Sequence, residues 1–316
     1  MSRVIQAQGL PQLYGANQGI NNLDLAVDAG EIFGYLGPNG SGKTTTIRLM
    51  LGFIRADRGA ISLFGHKVTP GAVGDRRRIG FVPGEAALPE GSTGAGLLRF
   101  YERLSGMKSA NREALCERLG LADRDLRRPI RTLSRGTKQK VAIVQALQHD
   151  PELLILDEPT TGLDPLSQEA FFDMLHDLRD RGRTVFFSSH ILSEVQRLCD
   201  RVAVLREGRL VLESTMVEMA ARADRLLWVK LREGQAPGEG PGAPVIKGAR
   251  FIRADAGGWL LYLAKSGDTP GILEELARIR PLDFRLEPAL EESFLQLYGV
   301  NVRSLQAPAT AGKAAL

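Results

Sequence analysis

The run Gly37-Pro38-Asn39-Gly40-Ser41-Gly42-Lys43-Thr44 constrains this chain more than any other stretch. It follows a short apolar strand at 31–36. It precedes TIRLMLGFI, where Ile47, Leu51 and Ile54 recur at helical spacing. Strand, glycine loop and helix in that order form an α/β phosphate-binding unit, in which bare backbone wraps phosphates and successive N–H groups point inward. The helix adds its positive dipole end. Lys43 places a cation between β and γ phosphates, and the Thr44 hydroxyl is a ligand for Mg2+. As a phosphate ligand, Lys43 is expected to face solvent and to stay outside the core.

A chain of 316 residues exceeds what one small core needs, so two domains are expected. With 43% hydrophobic and 25% charged residues, its composition is that of an ordinary soluble globular protein. A net charge of +4 is too slight to argue for a nucleic acid, and none is expected as a partner. Cys116 and Cys199 lack metal-ligand spacing, which fits a reducing cytosol. The N-terminus lacks the order of a signal peptide. No apolar run approaches the ~20 residues needed to cross a bilayer. Any service to a membrane is expected from its cytoplasmic side, as a peripheral protein on the inner face.

Residues 1–31 read as hairpin strands. From about 86 to 150 the chain is mostly helical by periodicity, with Leu97, Leu98, Tyr101 and Leu104 on one face. Strand segments at 153–156, 184–188 and 202–205 then alternate with helices, which predicts a largely parallel sheet carrying an inserted helical subdomain. A boundary is expected near Ala221. Beyond it LLWVKL, ARFIRA, WLLYLA and DFRLEP read as strands, and PGILEELARI and LEESFLQLYG as helices. The fold class expected is therefore α/β at 1–221, with a small α+β accessory domain at 222–303 and a disordered tail at 304–316.

A phosphate loop needs a carboxylate to complete a magnesium site, and LLILDE supplies one. Asp157 emerges at the C-terminal end of a buried strand, where α/β sheets bind ligands. It is placed to hold the metal, and Glu158, one residue beyond, to polarise the attacking water. An apolar strand ending in an acidic pair is a weak signal alone, and the glycine loop makes it strong.

The order and spacing of GPNGSGKTT, LSRGTKQK, LLILDEPTTGLD and SSH make residues 4–219 resemble the nucleotide-binding domain of ABC transporters. The similarity is greatest to bacterial exporter ATPases of the multidrug or antibiotic-resistance type, which also carry a C-terminal accessory domain. The resemblance implies a P-loop NTPase fold with ABC-type antiparallel and helical subdomains. It implies that ATP and Mg2+ are bound, with Gly37 to Thr45 holding the phosphates, Thr45 included. It implies that Tyr14 stacks on adenine, as against an ordinary core or surface tyrosine. His190 corresponds to the switch histidine that touches the γ-phosphate, and Asp164 to the loop that meets a partner subunit. Ser134 and Gly136 belong to the signature motif that grips ATP bound to the opposite subunit.

Two departures stand out. Arg135 replaces a signature glycine, and either adds a cation near the phosphate or points away. Gly84 stands where the family has a magnesium-sensing glutamine. Glu85 beside it is either a candidate metal ligand or a solvated loop acid. The function implied is an ATP-hydrolysing homodimer that drives a permease encoded as a separate polypeptide, for export of a drug-like or other small molecule. The alternatives are a soluble ABC ATPase acting on ribosomes or DNA, and an ATP-binding regulator with little hydrolysis.

Overall fold

The computed structural model describes residues 2–14, 18–56, 58–69, 74–107, 109, 111–232, 243–255, 257–290 and 294. The chain divides into two compact units, Met1–Met216 and Val217–Leu316. The division falls at the start of the helix Met216–Arg222. The boundary expected near Ala221 lay at its end.

The first unit is built on a six-stranded sheet, in the order Arg209–Thr215, Arg201–Arg206, Ile32–Leu36, Thr184–Ser189, Leu153–Asp157, Ile79–Val82. All pairings are parallel except the one to Arg209–Thr215. The three central strands are buried along their whole length, which is why they read as unbroken apolar runs and not as alternation. Phe33 stacks on Phe186 at 5.9 Å between ring centres, and Tyr35 tilts against the same ring at 5.2 Å. The Tyr35 hydroxyl meets Thr46 Oγ1 at 3.0 Å, tying the strand before the glycine loop to the helix after it.

A four-stranded antiparallel sheet accompanies it, in the order Gln18–Asp28, Arg3–Tyr14, Ala60–Leu63, His66–Lys67. Helices Gly94–Ser105, Arg112–Arg118, Asp123–Leu126 and Arg135–Leu147 occupy the stretch between strands Ile79–Val82 and Leu153–Asp157.

One expectation about helix extent fails. The helix after the glycine loop runs only Lys43–Met50, because Gly52 takes φ 66 and turns the chain, so Ile54 lies beyond it. On Gly94–Ser105, Leu97 and Leu98 are buried, whereas Leu104 is 63% exposed.

The second unit has a four-stranded antiparallel sheet, ordered Ala249–Ala254, Trp259–Ala264, Arg225–Lys230, Asp283–Pro288, with the helix Thr269–Ile279. Leu227, Val229, Leu260, Tyr262, Ile272 and Leu276 form its core. Of the expected final helix, only residues 290 and 294 are described, and the tail at 304–316 lies outside the described residues. Among the described residues no helix is long and apolar enough to cross a membrane.

Candidate nucleotide site

The glycine loop is shaped by backbone that other residues cannot adopt. Gly40 has φ 80 and Gly42 φ 108, and a Cβ on Gly42 would lie 2.7 Å from the Gly19 carbonyl oxygen. Gly42 is the N-cap of Lys43–Met50 and supplies no side-chain acceptor, and no acid stands in the first turn. The first N–H groups of that helix are thus left for an external anion. Ser41 Oγ is buried and has no hydrogen-bond partner among the described residues, which is a further unspent donor in the loop. Pro38, Asn39, Gly40 and Thr44 are exposed, Gly37 is buried, and Thr45 is half-buried.

Lys43 differs from expectation. It is 5% exposed, and its Nζ donates to the carbonyls of Gly37 at 2.7 Å and Pro38 at 3.2 Å. Its alkyl stem fills the space under the loop and its ammonium is delivered from below, so it is both a packed residue and a cation for the loop.

Parallel pairing sets Asp157 beside Ser188 at the sheet's C-terminal edge. Ser188 Oγ donates to Asp157 Oδ1 at 3.0 Å, and Thr44 Oγ1 donates to Oδ2 at 2.9 Å. One buried carboxylate and one hydroxyl, both hard oxygen donors, fit a magnesium ion that completes its shell with water and phosphate. Among the described residues no group of three or more His, Cys, Asp or Glu side chains forms a self-contained metal cage.

Burial pushes the Asp157 carboxyl above its ordinary value, against the lowering pull of the Thr44 and Ser188 hydroxyls. An acid raised in the folded state binds its proton more readily there than in the unfolded chain. It therefore weakens the fold as pH rises from the ordinary carboxylate value through the raised one, and the loss persists at neutral pH. Asp157→Asn removes that penalty and keeps the shape. The nucleotide-free variant is expected to melt above wild type at neutral pH, with the gap closing towards pH ~4, while Mg-dependent ATP turnover is lost. Differential scanning fluorimetry from acid to neutral pH checks this, and a variant that melts lower at neutral pH overturns it.

Glu158 leaves the strand with φ 47, an uncommon value for a side chain with a Cβ. Its N–H donates to Ser188 O at 3.0 Å, which fixes the turn. The carboxylate then lies between two cationic or potentially cationic groups, with Oε1 3.2 Å from Lys43 Nζ and Oε2 3.1 Å from His190 Nδ1. Lys43, Thr44, Asp157, Glu158 and His190 come together at one sheet edge from three separate segments.

The other motif residues lie on neighbouring loops. Ser134 caps the helix Arg135–Leu147 by accepting from Thr137 N at 3.1 Å. Gly136 has no room for a side chain, since a Cβ there would lie 2.5 Å from Gly162 O. Asp164 caps the helix Pro165–Asp180, its two oxygens taking the Ser167 N–H at 2.9 Å and hydroxyl at 2.6 Å, with Lys140 at 3.3 Å. The Ser167 contacts, then Lys140, hold its carboxyl well below the usual range.

Glu85 is exposed, and no hydrogen bond or ion pair joins it to Thr44 or Asp157 among the described residues. Gly84 sits closer, where a Cβ would be 3.2 Å from Asp157 O. Tyr14 ends a strand, but its side chain lies outside the described residues.

Sequence reasoning missed Ser188 as the second anchor of Asp157, although the SSH motif contains it. The signal was the parallel register, which sets two strand ends side by side. It also missed Gln139, buried in the signature helix, whose Nε2 donates to Pro159 O at 2.9 Å and ties that helix to the segment leaving Glu158.

A loop with open N–H groups, a buried lysine, a hydroxyl–carboxylate pair and an acid one residue beyond fit a P-loop nucleotide site. The ABC transporter family profile matches residues 20–161. The daunorubicin/doxorubicin resistance ATP-binding protein DrrA of Streptomyces peucetius is 38% identical over 244 residues, covering 75% of this chain and 73% of that protein. The uncharacterized ABC transporter ATP-binding protein YhcH of Bacillus subtilis is 31% identical over 312 residues, covering 97% and 99%. Among solved structures, a dimeric post-hydrolysis state of the ATP-binding cassette MJ0796 bound to ADP and Pi superimposes with a TM-score of 0.59 at 25% identity. It covers 67% of this chain and 98% of that one. This chain belongs to the ATP-binding subunits of ABC transporters. It is an ATPase of the P-loop α/β fold, and its relatives favour the transporter reading over action on ribosomes or DNA.

Proposed function

We propose that two copies of this chain close head to tail around ATP and drive a separate permease that exports a drug-like molecule. The observation that carries it is Glu158 set one residue beyond Asp157, with Lys43 and His190 at 3.2 and 3.1 Å. Taken as a base, a phosphate cation and a switch histidine, these three side chains would surround one reacting phosphate. The P-loop N–H groups and Lys43 bind the phosphates, while Asp157 and Thr44 would hold Mg2+. The bound ion would neutralise charge on the phosphate oxygens. Glu158 accepts the proton of the attacking water, and His190 orients Glu158 and the terminal phosphate. Ser134 and Gly136 serve the site of the opposite copy, so one chain carries two halves that complete each other only across a two-fold axis.

The permease is proposed to dock on the cytoplasmic side, where exposed Phe53 and Leu104 rim apolar grooves containing Phe81 and Ile79. A drug-like cargo is proposed from the daunorubicin/doxorubicin resistance for which DrrA is named. The accessory domain from residue 222 is assigned to docking or dimer lifetime, since it holds no phosphate motif. Coexpression with candidate polytopic membrane proteins from the same genome tests the scheme. The full chain should copurify and show ATPase activity that the permease stimulates. A version ending at residue 221 should bind ATP equally but copurify less or form a shorter-lived dimer. A full chain that never associates with a membrane protein refutes the transporter role.

A further inference from the structure

Asp157 and Glu194 are the two buried acids among the described residues, and only Asp157 has a task in the site described above. Glu194 stands in the first turn of the helix Leu192–Leu198, where a negative charge suits the helix dipole. An exposed side chain would serve the dipole equally well. Glu194 is instead 4% exposed, and no cation pairs with it among the described residues. A carboxylate withdrawn from water in this way is costly unless its oxygens are engaged.

Both oxygens are engaged, by groups that lead to the site. Oε2 accepts from the Ser189 hydroxyl at 2.6 Å, the length of a hydroxyl donating to a carboxylate. Oε1 accepts from Gln168 Nε2 at 3.0 Å. Gln168 belongs to the helix Pro165–Asp180 and backs the carboxylate, so that it cannot swing away from Ser189. Ser189 ends its strand immediately before His190. With its hydroxyl proton aimed at Glu194, Ser189 Oγ accepts the Ile191 N–H at 2.9 Å, and His190 is bracketed from both sides. The Ser189 carbonyl accepts the Gly37 N–H at 3.3 Å, which joins the same residue to the start of the glycine loop. His190 is itself 41% exposed, and among the described residues its ring makes a polar contact only to Glu158. The backbone on either side, and not packing of the ring, therefore sets where His190 points.

We propose that Glu194 is a positioning residue of the hydrolytic reaction: acting through Ser189, it fixes the turn that holds His190 against Glu158 and the terminal phosphate. This rests on the role given to His190 above.

The test compares the full chain with Glu194→Gln, Ser189→Ala, His190→Ala and the double variant Glu194→Gln/His190→Ala. Hydrolysis is read in single turnovers, and affinity by titration with a fluorescent ATP analogue. Glu194→Gln keeps the volume but has one accepting oxygen in place of two, so the turn loosens. Displacing a reacting group by about 1 Å can cost about 100-fold in rate, so hydrolysis should slow roughly 10–100-fold with affinity at the parent value. Ser189→Ala leaves Glu194 in place and should give a loss of the same order. In the His190→Ala background Glu194→Gln should remove nothing further, because the side chain it positions is gone. A Glu194→Gln protein that melts lower yet hydrolyses at the parent rate makes Glu194 a packing residue and overturns the proposal. Losses that multiply in the double variant overturn it too. So does a Ser189→Ala protein with the parent rate, an outcome that can be read even where the Glu194 variants fail to fold. A His190→Ala protein with the parent rate removes the role of His190 itself, and the inference with it.

Discussion

Glu158→Gln is expected to slow ATP turnover by roughly 10²–10⁴-fold, or about 3–5 kcal/mol of barrier, without weakening ATP binding. The amide keeps the length and hydrogen-bonding reach of the carboxylate but cannot accept the proton of the attacking water. Two features of the fold sharpen this. The left-handed backbone at Glu158 is held by its N–H to Ser188 O, so the replacement inherits the same position. In wild type the carboxylate also occupies Lys43 and His190, the two groups that a terminal phosphate would engage. Removing its charge frees Lys43 and reduces repulsion of the phosphate, so affinity should hold or improve. With hydrolysis blocked and closure intact, the variant should accumulate as an ATP-bound dimer that wild type forms only transiently. Size-exclusion chromatography with and without Mg-ATP reads this directly. A variant that hydrolyses at the wild-type rate as a monomer refutes both the base and the dimer.

How much of this was legible before the fold was known differs by residue, for physical reasons. The glycine loop could be read because backbone geometry dictates it: φ 80 at Gly40 and φ 108 at Gly42 leave almost no other residue possible. The central strands could be read because burial on both faces forces continuous apolar runs, as at Leu153–Asp157. Asp157 and Glu158 could be located because a strand end has a direction. Lys43 was misjudged because a lysine's charge suggests exposure, whereas the depth of its stem depends on how the loop carbonyls close over it. Leu104 shares a face with buried Leu97 and Leu98 yet is exposed, because periodicity reports an apolar stripe and not what covers it. Ser188 escaped notice because its role depends on the register between strands 31 residues apart, which neither strand encodes alone. Ser134 and Asp164 were read for function, and both also cap helices. The same side-chain oxygens that suit a subunit contact serve the chain's own backbone.

Lys43→Ala is expected to abolish tight ATP binding and hydrolysis while costing the fold little. Charge-assisted hydrogen bonds to phosphate contribute about 1.5–3 kcal/mol, so affinity should fall on the order of 10–100-fold from that loss alone. Hydrolysis should fall further, because the same cation lies beside Glu158, the proposed base. The burial of Lys43 requires a stability term as well. Its Nζ satisfies the Gly37 and Pro38 carbonyls, and its stem is 5% exposed, so alanine leaves unpaired oxygens and a small void. Pro38, Asn39 and Gly40 are open to solvent, so water can replace the ammonium there, and the net cost should be about 1 kcal/mol. Lys43→Met, which keeps most of the stem, should recover much of that stability but none of the nucleotide binding. The two effects separate in one thermal-shift series. Wild type should gain melting temperature with Mg-ATP as RT ln(1 + [L]/Kd). Neither variant should gain measurably, and Ala alone should start visibly lower. A Lys43→Ala protein that kept near-normal turnover would remove the assignment of this loop as the phosphate site. One that failed to fold while Met bound ATP normally would make Lys43 a packing residue and nothing more.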